Sequence, residues 1–289
     1  MSKILLAAHG GAGSDGAVRV ASLLARRVGA GLEALVVLEP MPVVDYGFGV
    51  VASCSPGEEE AIDAQLVADA SAQLTRCDAR DCTLRSSFGV PATEIAESAR
   101  TMAADAIVVG LGPHGVVARA LGQETVLQLV QVASTPILAV PASVSELPHR
   151  VVAAVDFTPT SICAAQTAAR WLAAGDALHL VHVRSAHADH DTGRPPLRVG
   201  DDAWRLASLA HELEVADGVS VKTALVDGDP ATALLHYADR HDADLVALGS
   251  HGYGLWKRLA LGSVASKVVR LTTKPVLVVP VASVPVDTP

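Results

Sequence analysis

Aromatic side chains are scarce in this chain: three Trp, three Tyr and three Phe make up 3% of its residues, while 50% are hydrophobic. An interior with so few rings must be filled by Ala, Val and Leu, as in parallel strands covered by helices on both faces. Long apolar runs are missing as well. No stretch reaches the roughly 18 residues that a membrane-crossing helix needs, and the apolar start Lys3–Ala8 is too short for the hydrophobic region of a secretory signal. The expectation is therefore a cytoplasmic protein with no membrane partner. Basic clusters are lacking: the net charge is -9, and no Lys/Arg patch offsets it, which argues against a nucleic-acid partner. Cys54, Cys77, Cys82 and Cys163 form no C-x2-C pair and have no His at metal spacing, so they read as reduced thiols with no metal site.

What is present is an internal repeat. Gly89-Val-Pro91-Ala92-Thr93 recurs as Gly228-Asp-Pro230-Ala231-Thr232, and Ala104-Asp105 before an apolar run ending at Gly110 recurs as Ala243-Asp244 ending at Gly249. Thr135-Pro136 leading to Pro141 recurs as Lys274-Pro275 leading to Pro280, again 139 residues on. At the amino ends, Ile4–Ala8 matches Val151–Val155 at an offset of 147, so the first half holds eight extra residues, assigned to the Pro- and Gly-rich segment 40–57. Each half parses as alternating strands and helices. The strands fall near 3–8, 32–38, 82–88, 106–110 and 136–140, then near 150–155, 177–183, 220–226, 244–249 and 275–279. Alternation forces right-handed crossovers and parallel sheets. The fold class is α/β: two tandem doubly wound domains, 1–143 and 149–284, each with a five-stranded parallel sheet flanked by helices, joined by a linker at 142–148.

The second half carries a glycine-rich loop at the carboxyl end of its fourth strand: Gly249-Ser250-His251-Gly252, running on to Gly262-Ser263-Val264. Ligands of open α/β sheets bind at that edge. Apolar residues at 264, 268, 269 and 271 have helix spacing, which puts Gly262-Ser263 at a helix amino terminus where free N–H groups gather. Glycines permit close approach of an anion and positive φ, and the Ser263 hydroxyl adds a donor. No Gly-Lys-Ser/Thr closes a P-loop here, and Lys257 and Arg258 read as solvated. An ordinary strand-to-helix turn would use the same glycines.

The spacing G-x2-G-x9-G-S after a parallel strand resembles the ATP-binding signature of the universal stress protein family, and the likeness covers nearly the whole chain as a tandem pair. The resemblance implies an ATP-binding regulatory protein of the stress response, with or without Mg2+, and no turnover beyond slow hydrolysis. It implies ligand contacts from Asp156, Val183, Gly249, His251, Gly252, Gly262, Ser263 and Val264. In the family the aspartate ending the first strand meets adenine, and a backbone group at the end of the second strand, here Val183 or Val181, meets the adenine edge. Asp156 has a structural alternative, ordering the turn Phe-Thr-Pro-Thr. Asp229 reads as a helix cap. An apolar last strand at a sheet edge implies a homodimer.

The first half departs from this pattern. His9 stands where Asp156 stands, the loop from Gly110 to Gly122 is shorter, and Gln123-Glu124 replaces the serine, bringing a carboxylate toward an anion site. Nucleotide is therefore expected in the second half. Gly110-x-Gly112-x-x-Gly115 spells a dinucleotide fingerprint in the wrong context, and His9-Gly-Gly has no G-x-S-x-G partner anywhere in the chain. His187, Asp189, His190 and Asp191 read as a solvated loop, His182 as a core histidine, and Trp171 and Trp204 as packing residues. Two other readings stay open: an adenine-nucleotide hydrolase or transferase of the related superfamily, and a dimeric interaction module with vestigial sites.

Overall fold

A computed structural model describes residues 2–39, 44–45, 50–51, 56–112, 123–184, 201–251 and 262–283. They form two compact units, residues 1–132 with 140–145, and residues 133–139 with 146–289.

The first unit runs β1 (Lys3–Ala7), α1 (Asp15–Val28), β2 (Gly31–Leu38), a short antiparallel pair β3 (Val44–Asp45) and β4 (Val50–Val51), α2 (Pro56–Arg76), β5 (Thr83–Phe88), α3 (Pro91–Thr101), β6 (Ala106–Gly110) and α4 (Gln123–Val132). Its strands lie in the order β6-β1-β2-β5, all parallel. The central strands read as unbroken apolar runs, and β6 is buried at all five positions. The outer strand β5, Thr-Leu-Arg-Ser-Ser-Phe, has no buried residue, which fits its place at the end of the row.

The second unit contains β8 (Arg150–Ala154), α5 (Pro159–Ala169), β9 (Ala177–Arg184), α6 (Asp201–Glu212), β10 (Ser220–Asp227), α7 (Pro230–Arg240), β11 (Leu245–Gly249), α8 (Ser263–Leu271) and β12 (Val276–Val279). Five parallel strands follow the order β10-β9-β8-β11-β12. Sequence order reverses between β8 and β11, so their carboxyl ends flank the crevice where such sheets take ligands.

The segment 133–139 also belongs to this unit. Its strand, β7 (Ile137–Val140), runs antiparallel along β12, pairing Val276 with Ala139 and Val278 with Ile137. The homodimer expectation rested on two apolar last strands, Ile137–Val140 and Val276–Val279, pairing within one chain and leaving further surface to join two chains. The edge of β12 is occupied within the chain, because a strand buried at every position is stabilised only when its N–H and C=O groups are paired on both sides.

Candidate functional site

The carboxyl end of β8 delivers Asp156 to the crevice. Its Oδ1 accepts from the Thr158 N–H at 3.0 Å and from the Thr158 hydroxyl at 2.5 Å. Thr158 in turn caps α5, its Oγ1 accepting from Ser161 N–H. Half of the carboxylate therefore orders the turn, as the structural reading of this residue required. Oδ2 has no bonding partner among the described residues, which leaves one oxygen for a ligand.

Phe157, between them, adopts φ = 63°, a left-handed conformation that costs an ordinary residue about 1–2 kcal/mol. Its ring is buried against His182, with centroids 4.9 Å apart, and Arg205 of α6 lies 4.0 Å above its centroid. The stacking holds the strained backbone in place. His182 is a core histidine with its bonds committed: Nδ1 donates to the Val155 carbonyl at 2.6 Å, and Nε2 stands 3.8 Å from Asp202 Oδ2.

Val155 N–H donates to the Val181 carbonyl, and the Arg184 carbonyl accepts from Gly228 on the other side of β9. With a period of two, the N–H and C=O of Val183 point the same way as those of Val181, past the end of β8. Val183 thus presents backbone groups to the space beside Asp156.

The end of β11 answers from the other side of the crevice. Ser250 is buried, its N–H donating to the Val279 carbonyl at 2.8 Å, and its hydroxyl meets His251 Nδ1 at 2.9 Å. The His251 carbonyl accepts from the Thr160 hydroxyl at 2.9 Å, tying the loop to α5. Gly252 lies outside the described residues, as do Lys257, Arg258 and the loop residues 187–191.

Two of the glycines do something other than the sequence implied. Neither Gly249 nor Gly262 has a positive φ, Gly262 standing at -57°. A Cβ on Gly249 would lie 2.6 Å from Thr160 Oγ1, and one on Gly262 would lie 2.7 Å from the Ser250 carbonyl. The requirement at both positions is close packing, on the Thr160 side chain at Gly249 and on the Ser250 backbone at Gly262. In the first unit, a Cβ on Gly110 would meet Ser14 Cβ at 2.9 Å in the same way.

Gly262 is the N-cap of α8 and offers no side chain to it. Its own N–H is used by the Ser250 carbonyl, and the first bond of the helix runs from Ser266 to Gly262. The N–H groups of Ser263, Val264 and Ala265 have no acceptor among the described residues, and Ser263 is exposed. By contrast α5 is capped by Thr158, and α7 by Asp229, whose Oδ1 accepts from Thr232 N–H at 3.0 Å, from the Thr232 hydroxyl at 2.6 Å and from Lys267 Nζ of α8 at 2.8 Å. The Lys267 ammonium, with the Thr232 donors, holds the Asp229 carboxyl well below the usual carboxylate range.

Sequence reasoning missed Thr160, Phe157, Arg205 and Lys267. For Thr160 the signal was present, since Gly110 and Gly249 repeat in both halves. A Phe in a left-handed turn carries no such signal.

The corresponding edge of the first unit is built differently. Gln73 of α2 is fully buried: its Nε2 lies 2.8 Å from the Gly11 carbonyl, 2.9 Å from Ser14 Oγ and 2.8 Å from Asp15 Oδ1, while its Oε1 accepts from Gly10 N–H at 3.1 Å. Gly10, at φ = 78°, lets α2 approach so closely that a Cβ there would stand 2.5 Å from Asp69 Cβ. Beside His9, a cavity of about 10 Å³ is lined by residues including Ala8, Val37 and Pro91. That is room for about one water. Gln123 and Glu124 form the first turn of α4, so a carboxylate does stand at that amino terminus.

The family model of the Universal stress protein family matches residues 1–141 and again 148–280. The chain belongs to that family as a tandem two-domain member. Over 81 residues it is 35% identical to Universal stress protein YxiE of Bacillus subtilis (strain 168), covering 28% of this chain and 55% of that protein. Over 75 residues it is 36% identical to Universal stress protein MJ0577 of Methanocaldococcus jannaschii, covering 26% of this chain and 46% of that protein. These matches span about half the length of each relative. In fold it is similar to the crystal structure of a universal stress protein from Archaeoglobus fulgidus DSM 4304, with a TM-score of 0.69 at 18% identity over 96% of this chain and 98% of that one. It is also similar to protein PA1789 of Pseudomonas aeruginosa PAO1, with a TM-score of 0.57 at 16% identity over 97% and 92%. Among the described residues no helix is long and apolar enough to cross a membrane.

Proposed function

We propose that the second unit binds an adenine nucleotide, ATP by the family resemblance, at the carboxyl edge of its sheet, and that the protein is a cytoplasmic nucleotide-responsive regulator of the stress response. The observation that carries this reading is the open amino terminus of α8, whose first three N–H groups lack acceptors while α5 and α7 at the same edge are capped by side chains. A helix terminus left open beside a crevice suits a phosphate. Asp156 Oδ2 and the backbone of Val183 would take the purine, and Ser263, Val264, Gly262, His251, Gly249 and Gly252 would surround the phosphates, with Mg2+ entering on the phosphates themselves. The chain's own groups supply binding and orientation only.

The first unit is proposed to be empty, since His9 replaces the Asp156 carboxylate and Glu124 stands in the first turn of the equivalent helix, where it would repel a phosphate. A homodimer would need a surface other than the β12 edge. Isothermal titration with ATP tests the reading: one site per chain is expected. A stoichiometry of two, or binding that survives the loss of both Asp156 and Ser263 side chains, would overturn the assignment.

A further inference from the structure

The pair Asp229 and Lys267 joins the N-cap of α7 to the second turn of α8, next to the open amino terminus of the proposed phosphate site. Lys267 lies one turn after Ser263, so the two share a face of α8. Helical side chains lean toward the amino terminus, which carries the Lys267 ammonium toward the open N–H groups. There Nζ sits 2.8 Å from Asp229 Oδ1.

Three features mark this contact as exchangeable. Both side chains are about half exposed, at 45% and 54%, and a pair so solvated adds little to stability. Asp229 does not need Lys267 for its cap, because the N–H and hydroxyl of Thr232 both remain bonded to the same oxygen. And the pair belongs to the second half alone: 139 residues earlier stand Val90 and Gln128, in the half whose loop and carboxylate pattern are unsuited to phosphate.

We infer that Lys267 is a specificity-determining residue of the nucleotide site: it rests on Asp229 when the site is empty and turns to the phosphate chain when a polyphosphate binds, so that the site selects for phosphate charge. This rests on the nucleotide reading above. A polyphosphate offers the ammonium more negative charge and shorter charge-assisted bonds than one shared carboxylate oxygen. A neutral nucleoside offers nothing, and Lys267 then stays on Asp229.

The two partners predict opposite signs. Lys267→Met should weaken ATP by about tenfold, the effect of one charge-assisted hydrogen bond, and leave adenosine within about twofold. Asp229→Asn keeps the cap, because Asn caps as well as Asp, but removes the competing charge. It should bind ATP severalfold more tightly than wild type. Lys267→Arg should retain the preference for ATP. The measurement is isothermal titration of the full chain with ATP and with adenosine, with thermal unfolding of each variant to confirm folding. If Lys267→Met and Asp229→Asn shift ATP in the same direction, or if Lys267→Met weakens ATP and adenosine alike, the pair is a structural brace and the inference is wrong. Wild-type protein that binds neither ligand overturns the nucleotide reading, and this inference with it.

Discussion

Gly249 and Thr160 stand so close that a Cβ on the glycine would fall 2.6 Å from the threonine Oγ1 and 2.9 Å from the Ser161 nitrogen. The backbone at the end of β11 packs directly on the Thr160 side chain in the first turn of α5, and the Thr160 hydroxyl also holds the His251 carbonyl. Gly249→Ala must push these elements apart. Overpacking of this kind costs about 1–3 kcal/mol. Urea unfolding should show that loss without any nucleotide present, and Gly110→Ala, against Ser14, should show a similar one. An unchanged midpoint would mean that the glycines serve the ligand and not the packing.

A carboxylate placed at Ser263 should act on stability and binding in opposite directions. Ser263→Glu puts an acidic group in the exposed first turn of α8, which favours the helix by about 0.3–1 kcal/mol. The same charge about 6 Å from a phosphate repels it by about 3 kcal/mol at an effective dielectric near 20, or about a hundredfold in affinity. The expected variant is slightly more stable than wild type and nearly blind to ATP. Glu124, one residue further into the first turn of α4, sets the same opposition in the first half, where weak binding is expected. Thermal unfolding beside titration reads both effects.

Asp156 has one oxygen bonded to Thr158 and one proposed for the nucleotide, and two substitutions separate them. Asp156→Asn keeps an oxygen for the Thr158 N–H and hydroxyl, so stability should stay within about 0.5 kcal/mol, but it turns an amide donor toward the adenine amino group and should lose binding. Asp156→Ala loses both and should unfold about 1 kcal/mol more easily. Equal stability for the two variants would show that the turn does not depend on this side chain.

Much of the fold could be read from the sequence because its strands are continuous apolar runs. Ala-Ile-Val-Val-Gly and Leu-Val-Ala-Leu-Gly are unambiguous once the 139-residue repeat aligns them, and β6 and β11 fall where expected. The cap at Asp229 was legible too, since Asp before Pro is a local signal. The packing roles of Gly249 and Gly262 were not. A glycine that grants room to a neighbour 89 residues away is indistinguishable in sequence from one that bends the chain or admits an anion. The covered edge of β12 was legible in part: two apolar last strands invite pairing, but such a strand reads the same whether its last side is open or paired. Lys267 was overlooked because a lysine on a helix usually reads as solvated, and only the position of Asp229 on the next helix gives it meaning.

Acid should destabilise the fold at mild pH through two imidazoles. Burial holds His9 and His179 below the ordinary histidine value, in His179 with help from Lys222, His241 and Arg150. The folded state keeps these rings neutral while the unfolded chain protonates near 6.5, so the unfolded state binds more protons below that pH. Their contribution is present above about 6.5 and is lost as pH falls below it. For Asp15, burial pushes the carboxyl up, but hydrogen bonds from Arg76 and Gln73 outweigh it and hold it low, so its contribution is full above the ordinary carboxylate value and is lost as pH falls from there through the folded value, below the window of the imidazoles. Urea midpoints should be level from pH 8 to 7 and fall between about pH 6.5 and 5. His179→Gln, which keeps a partner for the Tyr237 hydroxyl, should reduce that fall.

Gln73 makes all its contacts to one short loop, from Gly10 to Asp15, and can make them only when α2 and that loop are both in place. Such a fixture opens as a unit or not at all. In the second half the helix at the matching point, α6, meets the turn through the face of Phe157, and a ring under a guanidinium slides where a buried amide cannot. Two repeats on one plan thus differ in compliance. The amide hydrogens of the first unit's carboxyl edge should exchange together and late, while those around Phe157 and the start of α6 exchange early and one by one, as the rim of the proposed nucleotide site would need to.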